Sequence, residues 1–169
     1  MDREQDDETQ LIQHGRYYSE DSYPDIELFS TAAYLMARFQ PDYMVVHPMG
    51  LDYIGELHGA HSAEYERQLI LQDQIMANIL PLALGAGYSV LITGDHGIDD
   101  NGCHNGTSPD VRRVPLYLLN ANFAHGDSDR IVSQLQIAPT ICELLGIPAA
   151  PTMKAHSLLS THNTTTIVS

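Results

Sequence analysis

Residues 90–106 read VLITGDHGIDDNGCHNG. An apolar run ends there and releases Asp95 and His96 side by side, with a second imidazole, His104, eight residues further on. Upstream, Asp52 and Glu56 stand four residues apart, so on one helical turn both carboxylates face the same way. Divalent ions at catalytic sites are held by imidazole nitrogen and carboxylate oxygen, commonly from three protein ligands plus an open position. Adjacent Asp95 and His96 can both ligate if a tight turn splays them, and Gly94 and Gly97 flank the pair. Asn101 and Gly102 are turn formers that let the chain return with His104. Two such loops offer two nearby ion sites, the arrangement that stabilises attack and departure at phosphorus. The Asp-His pair by itself equally suits a helix cap or a surface loop. Cys103 reads as a small packed residue, Asp99 and Asp100 as solvated turn residues, and His47 as packed or supporting the site. His58 and His61 remain open between substrate contact, support and plain surface.

These residues need elements to hold them. The chain has 169 residues, 43% hydrophobic and 18% charged, an ordinary soluble composition with one domain as the default. The net charge is −14 with only eight Lys plus Arg, which argues against a nucleic-acid duplex as partner and against anionic membrane surfaces. No apolar run approaches the ~20 residues of a membrane span. The opening MDREQDDETQ is not a signal peptide, so a chain complete as it stands is expected in the cytoplasm. Cys103 and Cys142 are too few for a disulfide framework.

Along the chain, residues 1–22 are expected to be a flexible acidic lead-in, and residues 160–169 a polar tail. PDIELFSTAAYLMARF predicts a helix with Pro24 in its first turn. DYMVVH, YSVLIT and VPLYLLN predict three buried strands. PMGLDYIGELHGAH has no clear period and reads as a loop or broken turn. The segment from Ser62 to Gly87 predicts the clearest helix, with Ser62 as N-cap and Pro81 kinking or shortening the last turn. SQLQIAPTICELLGIP predicts a helix broken at Pro139 and stopped at Gly146. Apolar strands alternating with helices predict an α/β fold, a mostly parallel sheet with helices on both faces in three α/β/α layers. Sites in such sheets form beyond the carboxyl ends of the strands, where both polar clusters fall.

HPMGLDYIGELHGAHSAEY, followed by VLITGDHGIDDNGCHNG and VPLYLLN, resembles the alkaline phosphatase superfamily. The branch it resembles is that of type I phosphodiesterases, nucleotide pyrophosphatases and the ethanolamine-phosphate transferases of lipid-anchor synthesis. The resemblance covers about residues 24–159, with APTICELLGIP similar to the domain's closing helix. It implies two divalent ions, zinc first and manganese second. By position it implies Asp52 and His104 for one ion, and Asp95 and His96 for the other. Where the family pattern has a His four residues after the first Asp, this chain has Glu56. Three outcomes fit: Glu56 ligates as a carboxylate, His58 takes the place by a shifted turn, or the first ion is weaker or of another type.

The resemblance also implies a nucleophilic Thr or Ser from an N-terminal half, and no residue here is assigned that catalytic role. Residues 23–159 are therefore expected to be the carboxyl-terminal half of a larger catalytic domain. The implied activity is metal-dependent hydrolysis of a phosphoric ester, of the phosphodiesterase or nucleotide pyrophosphatase kind, completed by the missing half. A non-catalytic metal-binding remnant and a phosphoethanolamine transferase are the alternatives. A phosphate-ester small molecule is the expected substrate. Self-association or aggregation is expected through an uncovered edge strand or apolar face.

Overall fold

In the computed structural model, residues 3–5, 15–17, 20–119 and 130–159 are described. The chain divides into two compact units, Met1–Leu118 and Leu119–Ser169. Most of the expected lead-in, and all of the expected polar tail, lie outside the described residues. Within the former, strands β1 (Arg3–Gln5) and β2 (Gly15–Tyr17) pair antiparallel, with Glu4 opposite Arg16.

The first unit is built on three helices. α1 spans Asp25–Phe39 and starts where sequence places it, with Pro24 as N-cap at φ −65°, the torsion its ring imposes. Asp25 and Glu27 in the first turn and Arg38 in the last complement the helix dipole. Phe29, Ala32 and Met36 are buried at helical spacing. α3 spans Ala63–Gly85 and packs against both α1 and α2. Its N-cap Ser62 accepts a hydrogen bond from the Tyr65 amide at 3.1 Å. Pro81 does not shorten α3, which continues to Gly85. So near the end, a proline removes little of the helical hydrogen bonding.

The segment expected to be a loop is helix α2, Gly50–His58. Its glycines serve close packing rather than disorder: a Cβ on Gly55 would meet Ile98 Cδ1 at 2.7 Å. Conversely, no strand forms over residues 42–47. An apolar run becomes a strand only with a ladder partner, and here Val45 is 69% exposed. β3 (Val90–Thr93) pairs with β4 (Leu116–Leu119), and the short helix α4 (Pro109–Arg112) lies between them in sequence. Neither strand is buried as expected: β3 is half-buried and ends at an exposed Thr93. A two-stranded sheet has too few neighbours to cover both faces of a strand. The architecture is thus mixed helix and sheet, in two small two-stranded sheets among the described residues.

In the second unit, a 3-10 turn at Gln134–Gln136 runs into α5, Ile137–Leu144. Ser133 and Gln136 form a reciprocal capping box. Pro139 does not break α5, because it sits in the first turn, where its missing N–H has no helical partner to lose. Thr140 is fully buried; its hydroxyl donates to the Gln136 carbonyl at 2.6 Å and accepts from the Leu158 amide at 2.8 Å.

Candidate metal centre

α2 carries Asp52 and Glu56 one turn apart, and the loop after β3 carries Asp95, His96 and His104. The fold brings all five into one cluster. Asp52, Glu56 and His104 each offer a ligand atom, and these atoms lie within 4.8 Å of one another. His104 Nδ1 is 3.4 Å from Glu56 Oε1. His96 Nε2 is 3.8 Å from Asp52 Oδ1 and 3.6 Å from Asp95 Oδ2, so Asp52 links the two halves of the cluster. The His96 and His104 rings stack with centroids 4.6 Å apart.

The loop is held by backbone chemistry. Asp99 is not a mere solvated turn residue. Its Oδ1 accepts from the Asn101 and Cys103 amides, both at 2.8 Å. Its own amide donates to the Cys103 carbonyl at 2.9 Å, and its carbonyl accepts from Gly102 and Ala60. This knot turns the chain back so that His104 reaches α2. Gly102, at φ +77°, lies so close to α2 that a Cβ would collide with the Glu56 carbonyl oxygen. Gly97 is needed for space rather than for an unusual torsion: a Cβ there would collide with the Asp110 carbonyl, and its amide donates to Val111 O at 2.7 Å.

The donor atoms are set for a cation. His96 Nδ1 lies 3.1 Å from the Gly97 carbonyl. A carbonyl only accepts, so this contact puts a proton on Nδ1 and turns Nε2 toward the two aspartates, the arrangement that orients imidazole ligands of metals. Asp52 Oδ1 and His104 Nδ1 are buried atoms without a hydrogen-bond partner. Tetrahedral ligands about 2.1 Å from an ion are about 3.4 Å apart, as His104 Nδ1 and Glu56 Oε1 are, a separation too long for a strong hydrogen bond. The donor set therefore fits a divalent ion. Burial, and after it the charge of Asp52, raises the Tyr65 phenol above its ordinary pKa.

Other candidates fall elsewhere. His58 is exposed and outside the three-residue donor group of Asp52, Glu56 and His104. His61 pairs with Asp100 at 3.4 Å, both side chains largely exposed. Cys103 is exposed rather than packed, because the Asp99 knot uses its backbone and leaves the side chain outside. His47 is not packed either: its side chain is 61% exposed and its Nε2 stands 3.8 Å from Asp95 Oδ2. Two residues with structural roles that sequence alone does not reveal are Asp99, which ties the loop, and Asp25, whose carboxylate accepts from the Gly50 amide at the start of α2. The Asp-x-Asn-Gly spacing was a signal for the first; nothing local distinguishes the second from an ordinary first-turn acid.

A family model for type I phosphodiesterase / nucleotide pyrophosphatase matches residues 10–114. The catalytic subunit of human GPI ethanolamine phosphate transferase 3 is 28% identical over 111 residues, covering 63% of this chain and 10% of the relative. The catalytic subunit of human GPI ethanolamine phosphate transferase 2 is 28% identical over 130 residues, covering 68% of this chain and 13% of the relative. A 2,3-bisphosphoglycerate-independent phosphoglycerate mutase of Desulforudis audaxviator is 31% identical over 135 residues, covering 77% of this chain and 26% of the relative. The chain thus spans only 10% to 26% of the length of these relatives. No solved structure matches.

Proposed function

Because this chain belongs to the type I phosphodiesterase / nucleotide pyrophosphatase family, we propose that it supplies the divalent-ion site of a catalytic domain acting on phosphate esters. The observation that carries this reading is the convergence of Asp52, Glu56 and His104 within 4.8 Å, with Asp52 Oδ1 and His104 Nδ1 buried and unpartnered. In this reading Asp52, Glu56 and His104 hold one ion, and Asp95 and His96 hold the second. Zinc or manganese is the expected metal. When bound, such ions lower the pKa of an attacking hydroxyl and offset charge that builds at phosphorus.

The chain's own residues prepare that chemistry. Gly97 O fixes the His96 tautomer and aims Nε2 at the cluster. The Asp99 knot holds His104 against α2. Asp52 stands between the two donor groups. The attacking hydroxyl would come from a part of the catalytic domain other than these two segments. In the same reading, β3 and β4 belong to a wider, mostly parallel sheet with helices on both faces.

Hydrolysis of a phosphodiester is the reading we favour for the completed domain. Transfer of ethanolamine phosphate is a second one, supported by the similarity to GPI ethanolamine phosphate transferases. The test begins with calorimetric titration of the 169-residue chain with zinc and manganese. Saturable binding is expected, and its loss in Asp52→Ala; no binding by the parent would end the proposal. Bis-p-nitrophenyl phosphate and an ethanolamine-phosphate ester, offered to the ion-loaded protein, then separate the two reactions.

A further inference from the structure

α2 lacks a local cap: Met49 occupies its N-cap position and makes no side-chain hydrogen bond there. The capping comes from Asp25, the first residue of α1. Asp25 is 5% exposed. Its Oδ1 accepts from the Gly50 amide at 3.1 Å, and its Oδ2 accepts from Gln68 Nε2, on α3, at 3.2 Å. The nearby Met49 amide also favours the charged carboxylate. A Cβ on Gly50 would collide with Asp25 Oδ2 and with Gln68 Nε2, so the carboxylate occupies the space that glycine leaves.

We propose that Asp25 is a positioning residue for the ion cluster, its buried carboxylate clamping the amino-terminal end of α2 and thereby setting where Asp52 and Glu56 stand. The inference rests on the reading of that cluster as an ion site. The lever is short. At 1.5 Å of rise per residue, Asp52 lies about 3 Å and Glu56 about 9 Å along the axis from Gly50. Ligand constellations tolerate only about 0.5 Å of error, so a small slide or rotation of α2 separates Glu56 from His104. Burying a carboxylate is costly even when it is hydrogen-bonded. Its negative charge sits where a helix amino terminus favours it, and its two oxygens reach two helices at once. An apolar residue could fill the same space but could not take hydrogen bonds from α2 and α3 together.

The test uses the full 169-residue chain with manganese as probe, comparing the parent with Asp25→Ala, Asp25→Asn and Gly50→Ala. Asp25→Ala is expected to stay folded by circular dichroism and to weaken manganese binding about tenfold or more, as loss of a supporting contact does. Asp25→Asn keeps an acceptor for Gly50 and can donate to a turned Gln68 amide, so its affinity is expected within about threefold of the parent. Gly50→Ala pushes the carboxylate from the other side and is expected to copy Asp25→Ala; it decides the matter if Asp25→Ala does not fold. Unchanged affinity in folded Asp25→Ala, or in folded Gly50→Ala, overturns the proposal, as does an Asp25→Asn variant as weak as Asp25→Ala. The ion-free chain supplies a separate readout. Asp25→Ala is expected to speed amide exchange in residues 50–58 and to move the His104 ring signals, while the amides of β3 stay protected. If the parent binds no ion, the proposed function fails and this readout alone decides the clamp: unchanged exchange and ring signals overturn it.

Discussion

His104 Nδ1 stands 3.4 Å from Glu56 Oε1, yet that nitrogen is a buried atom with no hydrogen-bond partner. The two lie at ion-pair distance without the angle a hydrogen bond requires. A cation between them would satisfy both.

The donor set at this position has two carboxylates and one imidazole, which suits manganese better than a set with two imidazoles would. Glu56→His is therefore expected to raise the zinc-to-manganese affinity ratio by about tenfold. Glu56→Ala is expected to weaken both ions. Competitive titration calorimetry measures the ratio, and an unchanged ratio in Glu56→His would remove Glu56 from the site.

Ion binding should appear as stability. At a free-ion concentration a hundredfold above Kd, the parent gains about 2.7 kcal/mol. Asp52→Asn is expected to lose most of this gain while leaving the ion-free chain no less stable, because it removes a charge from an acidic cluster. Thermal melts with and without manganese report both. A variant that melts earlier without the ion would make Asp52 a structural residue instead.

Gly102→Ala should cost about 1–3 kcal/mol, combining a left-handed torsion with a collision against α2. Gly106 provides the comparison: its φ is +102°, but a Cβ there meets nothing within 4 Å. Gly106→Ala is expected to pay only the torsional cost and to bind manganese normally, whereas Gly102→Ala binds it more weakly. Urea unfolding and titration together separate strain from displacement of the loop.

Asp25 gives a pH signature. Burial raises its carboxyl pKa above the usual 3.8, against the lowering effect of its hydrogen bonds. The folded state therefore holds this proton more tightly than the unfolded chain. The resulting stability is fully present below the unfolded pKa and is lost as pH rises through the folded one. Relative to Asp25→Asn, the parent should lose stability as pH rises from the unfolded pKa through the raised folded one, and level off above it. Urea unfolding of both proteins across that range checks the sign; a parent that gains on the variant with rising pH would contradict it.

Sequence made some of this legible and hid the rest for physical reasons. α1 and α3 were readable because their signals are local: Pro24 at one start, Ser62 at the other, and helical apolar spacing in both. α2 was not, because its cap comes from Asp25 across the fold and its Gly55 serves contact with Ile98. Residues 42–47 misled in the opposite sense, since an apolar run says nothing about whether a ladder partner exists. Asp52, Glu56, Asp95, His96 and His104, singled out by type and spacing, are the side chains the fold brings together. Helical geometry explains the choice between Glu56 and His58: two residues further on means about 200° around the helix, and His58 points into solvent.

The capping of α2 from a distance also imposes an order in time. α2 has nine residues, fewer than the roughly 12–15 an isolated helix needs in water. α3 carries its own cap and can begin alone; α2 waits until α1 and α3 have met and Asp25 has reached Gly50. Until then, an arriving ion encounters the loop after β3 without its partners from α2. The cluster of Asp52, Glu56 and His104 is therefore expected to assemble only after α1, α2 and α3 have packed.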